Sequence, residues 1–115
     1  MDDNISLIEN TYSEATKGIK EEWFYTDIPY WYSYIVNLPK KLRTTYLIVI
    51  LENQVSNGGF HQYFINAYGQ FAKETINLLI EIGAFKKSNL LDKALSLVQD
   101  KTVSDIDFRK GLITN

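Results

Sequence analysis

The sequence predicts an all-α fold, a compact orthogonal bundle of about five to six helices forming a single domain over residues 1–115. Three observations predict it. Apolar residues recur at spacings of three and four in five segments, the spacing of one face of a helix. Only Thr44–Leu51 has the β-branched and aromatic composition of a strand, and no second segment exists to pair with it. Glycines and prolines fall between the periodic segments, where helices stop and start.

The elements follow in order. Ile5, Ile8, Tyr12, Ala15 and Ile19 form one narrow stripe, so the first segment reads as a helix, with Asp2, Asp3 or Asn4 capping its start. Gly18 marks its end. Asp27 before Ile28-Pro29 reads as a cap with proline in the first turn, which predicts a short helix over about 28–37. Pro39 opens the next helix, and residues 39–56 are read as helix because Leu42, Tyr46, Val49 and Ile50 keep helical spacing beyond strand length. Asn57-Gly58-Gly59 stops it. Phe60, Tyr63, Phe64, Ala67, Tyr68 and Phe71 then form the cleanest stripe in the chain, with Gly69 interrupting. A helix over about 70–83 should place Ile76, Leu79 and Ile80 inside and end at Gly83. Ser88 should cap another over about 89–99, and Asp105 should open a short last one.

Composition narrows the function. Hydrophobic residues are 45% and charged residues 23%, the balance of a globular chain. With no cysteine, disulfides, thiolate nucleophiles and thiolate metal sites are excluded. His61 is the lone histidine, so no histidine pair forms within the chain; no metal and no cofactor are expected. The longest apolar run, Tyr46–Leu51, is far too short for a bilayer, and the acidic start Met1-Asp2-Asp3-Asn4 is unlike a signal peptide. These features predict a soluble cytoplasmic protein without membrane contact.

Charge is uneven. Residues 1–27 carry seven acids and two bases, whereas residues 28–91 carry six bases and three acids. Neither is dense enough to hold nucleic acid or to imitate it closely, because duplex DNA carries about one charge per 1.7 Å of axis. No direct nucleic-acid binding is expected. A homodimer that aligned two acidic N-terminal helices would double the array.

Two regions are candidates for function. In the Asn57–Asn66 corner, one glycine can take a left-handed conformation and the other can admit a close neighbour, while Asn57, Gln62 and Asn66 add amides and His61 a titratable ring. The corner is either a tight helix junction or a binding site at Asn57, Gly58, Gly59, His61, Gln62 and Asn66. A cleft lined by Asn57, His61, Gln62 and Asn66 would favour a ligand site; amides bonded to local backbone would favour a junction. The second region is aromatic. Trp23, Tyr25, Tyr30 and Trp31, beside Glu14, Glu21 and Glu22, read either as a partner patch or as a corner of the core.

The run Glu52 to Asn66, with its Asn-Gly-Gly-Phe-x-Gln-Tyr-Phe-x-Asn core at 57–66, resembles the signature of a bacterial family named for its DNA-mimic protein, much of it of unknown function. Ile82-Gly83-Ala84 also looks like that family, and the resemblance covers about residues 38–98. It implies an all-helical fold and a protein that occupies the nucleic-acid site of a DNA-binding protein. The resulting reading is a non-catalytic cytoplasmic protein-binding module, regulatory in role, with a protein partner that binds DNA. The other class is a small enzyme or small-ligand binder using the Asn57–Asn66 corner.

Overall fold

The computed structural model describes residues 3–99 and 102–114. They form six α-helices: α1 (Asp3–Thr16), α2 (Tyr30–Val36), α3 (Lys40–Ile65), α4 (Ala72–Glu81), α5 (Phe85–Val98) and α6 (Asp105–Thr114). Two 3-10 helices, Glu21–Tyr25 and Tyr68–Phe71, link them, and no strand occurs among the described residues. The fold is the all-α bundle expected. Thr44–Leu51 lies wholly inside α3, where Tyr46, Leu47, Ile50 and Leu51 are buried at helical spacing.

Helix α1 packs along α3. Thr11 is buried because its Oγ1 donates to the Leu7 carbonyl at 2.7 Å, leaving no unpaired hydroxyl. Tyr12 stacks on Tyr46 with ring centres 5.7 Å apart. The expected stripe is buried only at its C-terminal half: Ile5 and Ile8 are 51% and 50% exposed, because α3 covers one flank of this end and the other stays open.

The start of α2 also departs from expectation. Pro29, not Asp27, is the residue before the helix, and Thr26 Oγ1 rather than the Asp27 carboxylate accepts the Ile28 N–H, at 3.2 Å. Trp31 and Ile35, one turn apart, enter the core.

Two clusters of buried residues make the interior. One gathers Ala15, Trp31, Ile35, Tyr46, Leu47, Ile50, Phe71 and Leu78. The other gathers Leu51, Tyr63, Phe64, Ala72, Leu79, Leu91 and Leu95. Ile48 and Tyr68 pack against both. Helix α3 supplies both clusters: Tyr46, Leu47 and Ile50 go to the first, and Leu51, Tyr63 and Phe64, from the two sides of its break at Gly58-Gly59, go to the second.

In α4 the buried residues are Ala72, Thr75, Leu78 and Leu79, while Ile80 is 49% exposed. The inward face is set by Thr75, which can be buried because its Oγ1 donates to the Phe71 carbonyl at 2.8 Å. Gly83, at φ 83°, ends the element as expected. Helix α5 begins at Phe85, earlier than expected, and Ser88 is no cap: it is buried in the first turn, its Oγ donating to Ile76 O of α4 at 3.3 Å. Helix α6 starts at Asp105, whose carboxylate takes Lys73 Nζ at 2.7 Å and Gln99 Nε2 at 2.8 Å. Among the described residues no helix is long and apolar enough to cross a membrane.

Candidate functional site

The break in α3 is the centre of the first candidate site. Gly59 has φ 71° and ψ −171°, a region essentially restricted to glycine because any Cβ is strained there. This is positive φ, as the sequence suggested, but with an extended ψ rather than the left-handed helical one. Gly58 is needed for a different reason. A side chain there would run into Gln62, with a new Cβ 2.8 Å from Gln62 Cβ. One glycine therefore makes the turn and the other makes room.

The room is used by a bridge of amides. Gln54 Oε1 accepts Gln62 Nε2 at 3.0 Å and Asn66 Nδ2 at 2.9 Å. The bridge spans the break and ties the two halves of α3 together. Gln62 and Asn66 thus bond to a side chain, neither to local backbone nor into a cleft shared with Asn57 and His61. Asn57 is exposed. Sequence reasoning missed Gln54 as the hub. Its signal was the four-residue spacing of Gln54, Gly58, Gln62 and Asn66, which puts them on one helix face.

His61 is exposed and faces elsewhere. It joins Phe60, Ile65, Leu97, Val103 and Phe108 along an open, mainly apolar groove of about 820 Å³ between the end of α3, the end of α5 and α6. The apolar residues of this groove come from three elements far apart in sequence, so no local pattern marks it.

The aromatic region divides. Trp31 is 5% exposed, its Nε1 donating to Tyr46 Oη at 3.0 Å, with Phe24, Tyr68 and Phe71 edge-on to its ring. It belongs to the core and is withdrawn from the partner patch, because its ring is buried and its indole N–H is already bonded to Tyr46. Trp23 is half-buried, stacked on Tyr30 and tilted against Tyr34. Tyr25 is 81% exposed and Tyr30 50%, beside exposed Glu21, Glu22 and Asp27. Glu14 lies on α1 in an ion pair with Lys17 at 2.7 Å.

A polar cluster that sequence reasoning missed lies between α2, α4 and α6. Tyr32 Oη donates to Glu74 Oε2, and the Arg109 guanidinium sits 4.1 Å from the centre of the Tyr32 ring. Burial, then the hydrogen bond to Glu74, push the Tyr32 hydroxyl up to about 12. Burial likewise raises Tyr46 and Tyr63. Nothing local in the sequence pairs residue 32 with residues 74 and 109.

Among the described residues no group of three His, Asp or Glu gathers to hold a metal ion. The class these features define is an all-α domain built on one long helix that a glycine pair breaks and an amide bridge braces. The family model described as DMP19-like protein matches residues 36–114, and the chain belongs to that family. The match runs past the sequence resemblance to take in α6, and it begins after the exposed Tyr25 and Tyr30. No curated protein and no solved structure matches the chain.

Proposed function

We propose that the protein is a non-catalytic, cytoplasmic protein-binding module with a regulatory role, and that its partner is a DNA-binding protein. Membership of a family named for a DNA mimic carries this reading. The surface patch of Tyr25, Tyr30 and Phe24 supports it, since exposed aromatics rimmed by Glu21, Glu22 and Asp27 suit a protein face with cations at its edge.

The charge distribution limits how DNA-like that contact is. The family-matched region holds ten Lys and Arg against seven Asp and Glu, so the acidic excess lies in the N-terminal segment outside it. Aromatic contact is the main recognition element in this reading and phosphate imitation the lesser one; a homodimer aligning two α1 helices would raise the latter. The test is capture by the tagged full chain from extract of its native host, with identification of what is retained. A DNA-binding protein retained by the wild type and lost by the Tyr25→Ala/Tyr30→Ala variant is expected. Retention of no DNA-binding protein, or equal retention by a variant of unchanged helicity, overturns the reading.

A further inference from the structure

Two surfaces outside the aromatic face complement each other. Between α1 and α3 runs an open groove of about 640 Å³, with Ile5 and Ile8 on one wall and Ile48 and Val49 on the other. Ile5 and Ile8 are half-exposed, so the described residues leave the groove uncovered. The charged residues of its lining are Glu9 and Glu52. Glu52 is held by Lys87 of α5. Glu9 is exposed and in none of the four ion pairs of the described residues. Helix α1 carries three acids and no base.

The outward face of α5 has the opposite character. Lys86, Leu90, Lys93 and Leu97 recur at spacings of four, three and four, which puts them on one stripe of the helix, opposite the buried Ser88, Leu91 and Leu95. Leu90 is 46% exposed and Leu97 87%. Lys86 and Lys93 are exposed and outside those four ion pairs. At the helical rise the stripe is about 16 Å long, and the groove, from Thr44 to Asn53 of α3, about 14 Å. The ion pair of Lys87 with Glu52 brings the start of α5 beside the groove, so stripe and groove are neighbours on the molecule.

We propose that the α5 stripe of one copy docks in the α1–α3 groove of a second copy, and the reverse, so that the chain forms a two-fold symmetric dimer. Leu90 and Leu97 enter the groove against Ile5, Ile8 and Val49, and Lys93 meets Glu9. An apolar helix stripe laid in an apolar groove is a recurrent mode of recognition. Because stripe and groove are neighbours, one two-fold axis can use both contacts at once. Charge selects this pairing among copies. Groove on groove would set Glu9 against Glu9, and stripe on stripe would bring lysines together, whereas groove on stripe joins opposite charges. Exposed pairs of this kind fix partner and register, and the apolar contact supplies the strength. The dimer uses neither Tyr25 nor Tyr30, so its failure would leave the protein-binding reading standing.

The test is sedimentation velocity of the full chain from about 1 μM to about 1 mM, with a monomer–dimer equilibrium expected in that range. Glu9→Lys and Lys93→Glu should each weaken the dimer about tenfold, since each reversal acts at both equivalent contacts. The double variant Glu9→Lys/Lys93→Glu should recover the wild-type affinity, because the pair is restored with its signs exchanged. Leu97→Ser should also weaken it. All three positions are exposed, so each variant should keep wild-type helicity by circular dichroism. A chain that stays monomeric at every concentration overturns the proposal. So does a dimer indifferent to Lys93→Glu or to Leu97→Ser, which would place the contact on another face, or a double variant no stronger than the single ones.

Discussion

The ring of Phe64 lies on Gly69: an alanine Cβ at 69 would stand 2.7 Å from Phe64 Cε1 and still closer to Cδ1. Both residues are buried, so the ring has nowhere to retreat without disturbing Tyr63, edge-on to it at 5.3 Å. Phe64→Ala should cost about 3–5 kcal/mol through the cavity it leaves. Gly69→Ala should destabilise in the wild type and much less in a Phe64→Ala background, because the clash disappears with the ring. Urea unfolding of the four proteins of this cycle measures the coupling; additive effects would refute the contact.

The two glycines of the break should fail for different reasons. Gly59→Ala should cost at least about 1 kcal/mol from positive φ, and Gly59→Asn should give no rescue, since ψ −171° lies outside the left-handed helical region asparagine tolerates. Gly58→Ala should be destabilising by collision with Gln62, and Gln62→Ala should not relieve it fully, because the Gln62 Cβ alone is 2.8 Å away. Thermal melts of these single and double variants decide the matter. An unchanged midpoint for Gly59→Ala would contradict the backbone argument.

Tyr46→Phe should lose about 1–3 kcal/mol, because it strips the buried Trp31 Nε1–H of its acceptor. Trp31→Phe should be less damaging in the Tyr46→Phe background than alone, once the indole N–H has no partner to lose. Denaturant unfolding checks both, and a Tyr46→Phe protein as stable as wild type would rule out the hydrogen bond.

Alkaline pH should unfold the protein through its tyrosines. Tyr12, Tyr32, Tyr46, Tyr63 and Tyr68 all have raised pKa values in the folded chain, with burial the leading cause. A phenol whose folded pKa exceeds its unfolded value of about 10 contributes stability fully below that pH and loses it as pH rises through the folded value. For Tyr32 the window is therefore from about pH 10 to about 12. Stability should hold below the window and fall across it, with tyrosinate absorbance rising cooperatively at unfolding. Gradual titration of every tyrosine near pH 10 with the fold intact would contradict this.

Duplex DNA should not be bound at physiological salt. Lys17, Lys40, Lys73 and Lys87 are already in ion pairs with Glu14, Glu81, Asp105 and Glu52, so they release few counterions on meeting phosphates. A mobility-shift titration should show no complex at micromolar protein; a shift that weakens steeply with salt would overturn the expectation.

The sequence by itself determined the helical class, the break at Gly58-Gly59, the stop at Gly83 and the buried place of Phe64. Each of these is written locally, in a spacing of three and four residues or in a missing Cβ. The exposure of Ile5, Ile8 and Ile80 was not written there, because an apolar stripe says which face is sticky but not how far a neighbouring helix extends over it. The same holds for Trp31, whose aromatic cluster suited a surface or a core until Tyr46, Tyr68 and Phe71 arrived around it. Only the tertiary structure set Arg109 over Tyr32 and left Gln70 Oε1 buried without a donor among the described residues. Those relationships join residues tens of positions apart, and burial and pairing are properties of the assembled neighbours rather than of any one segment.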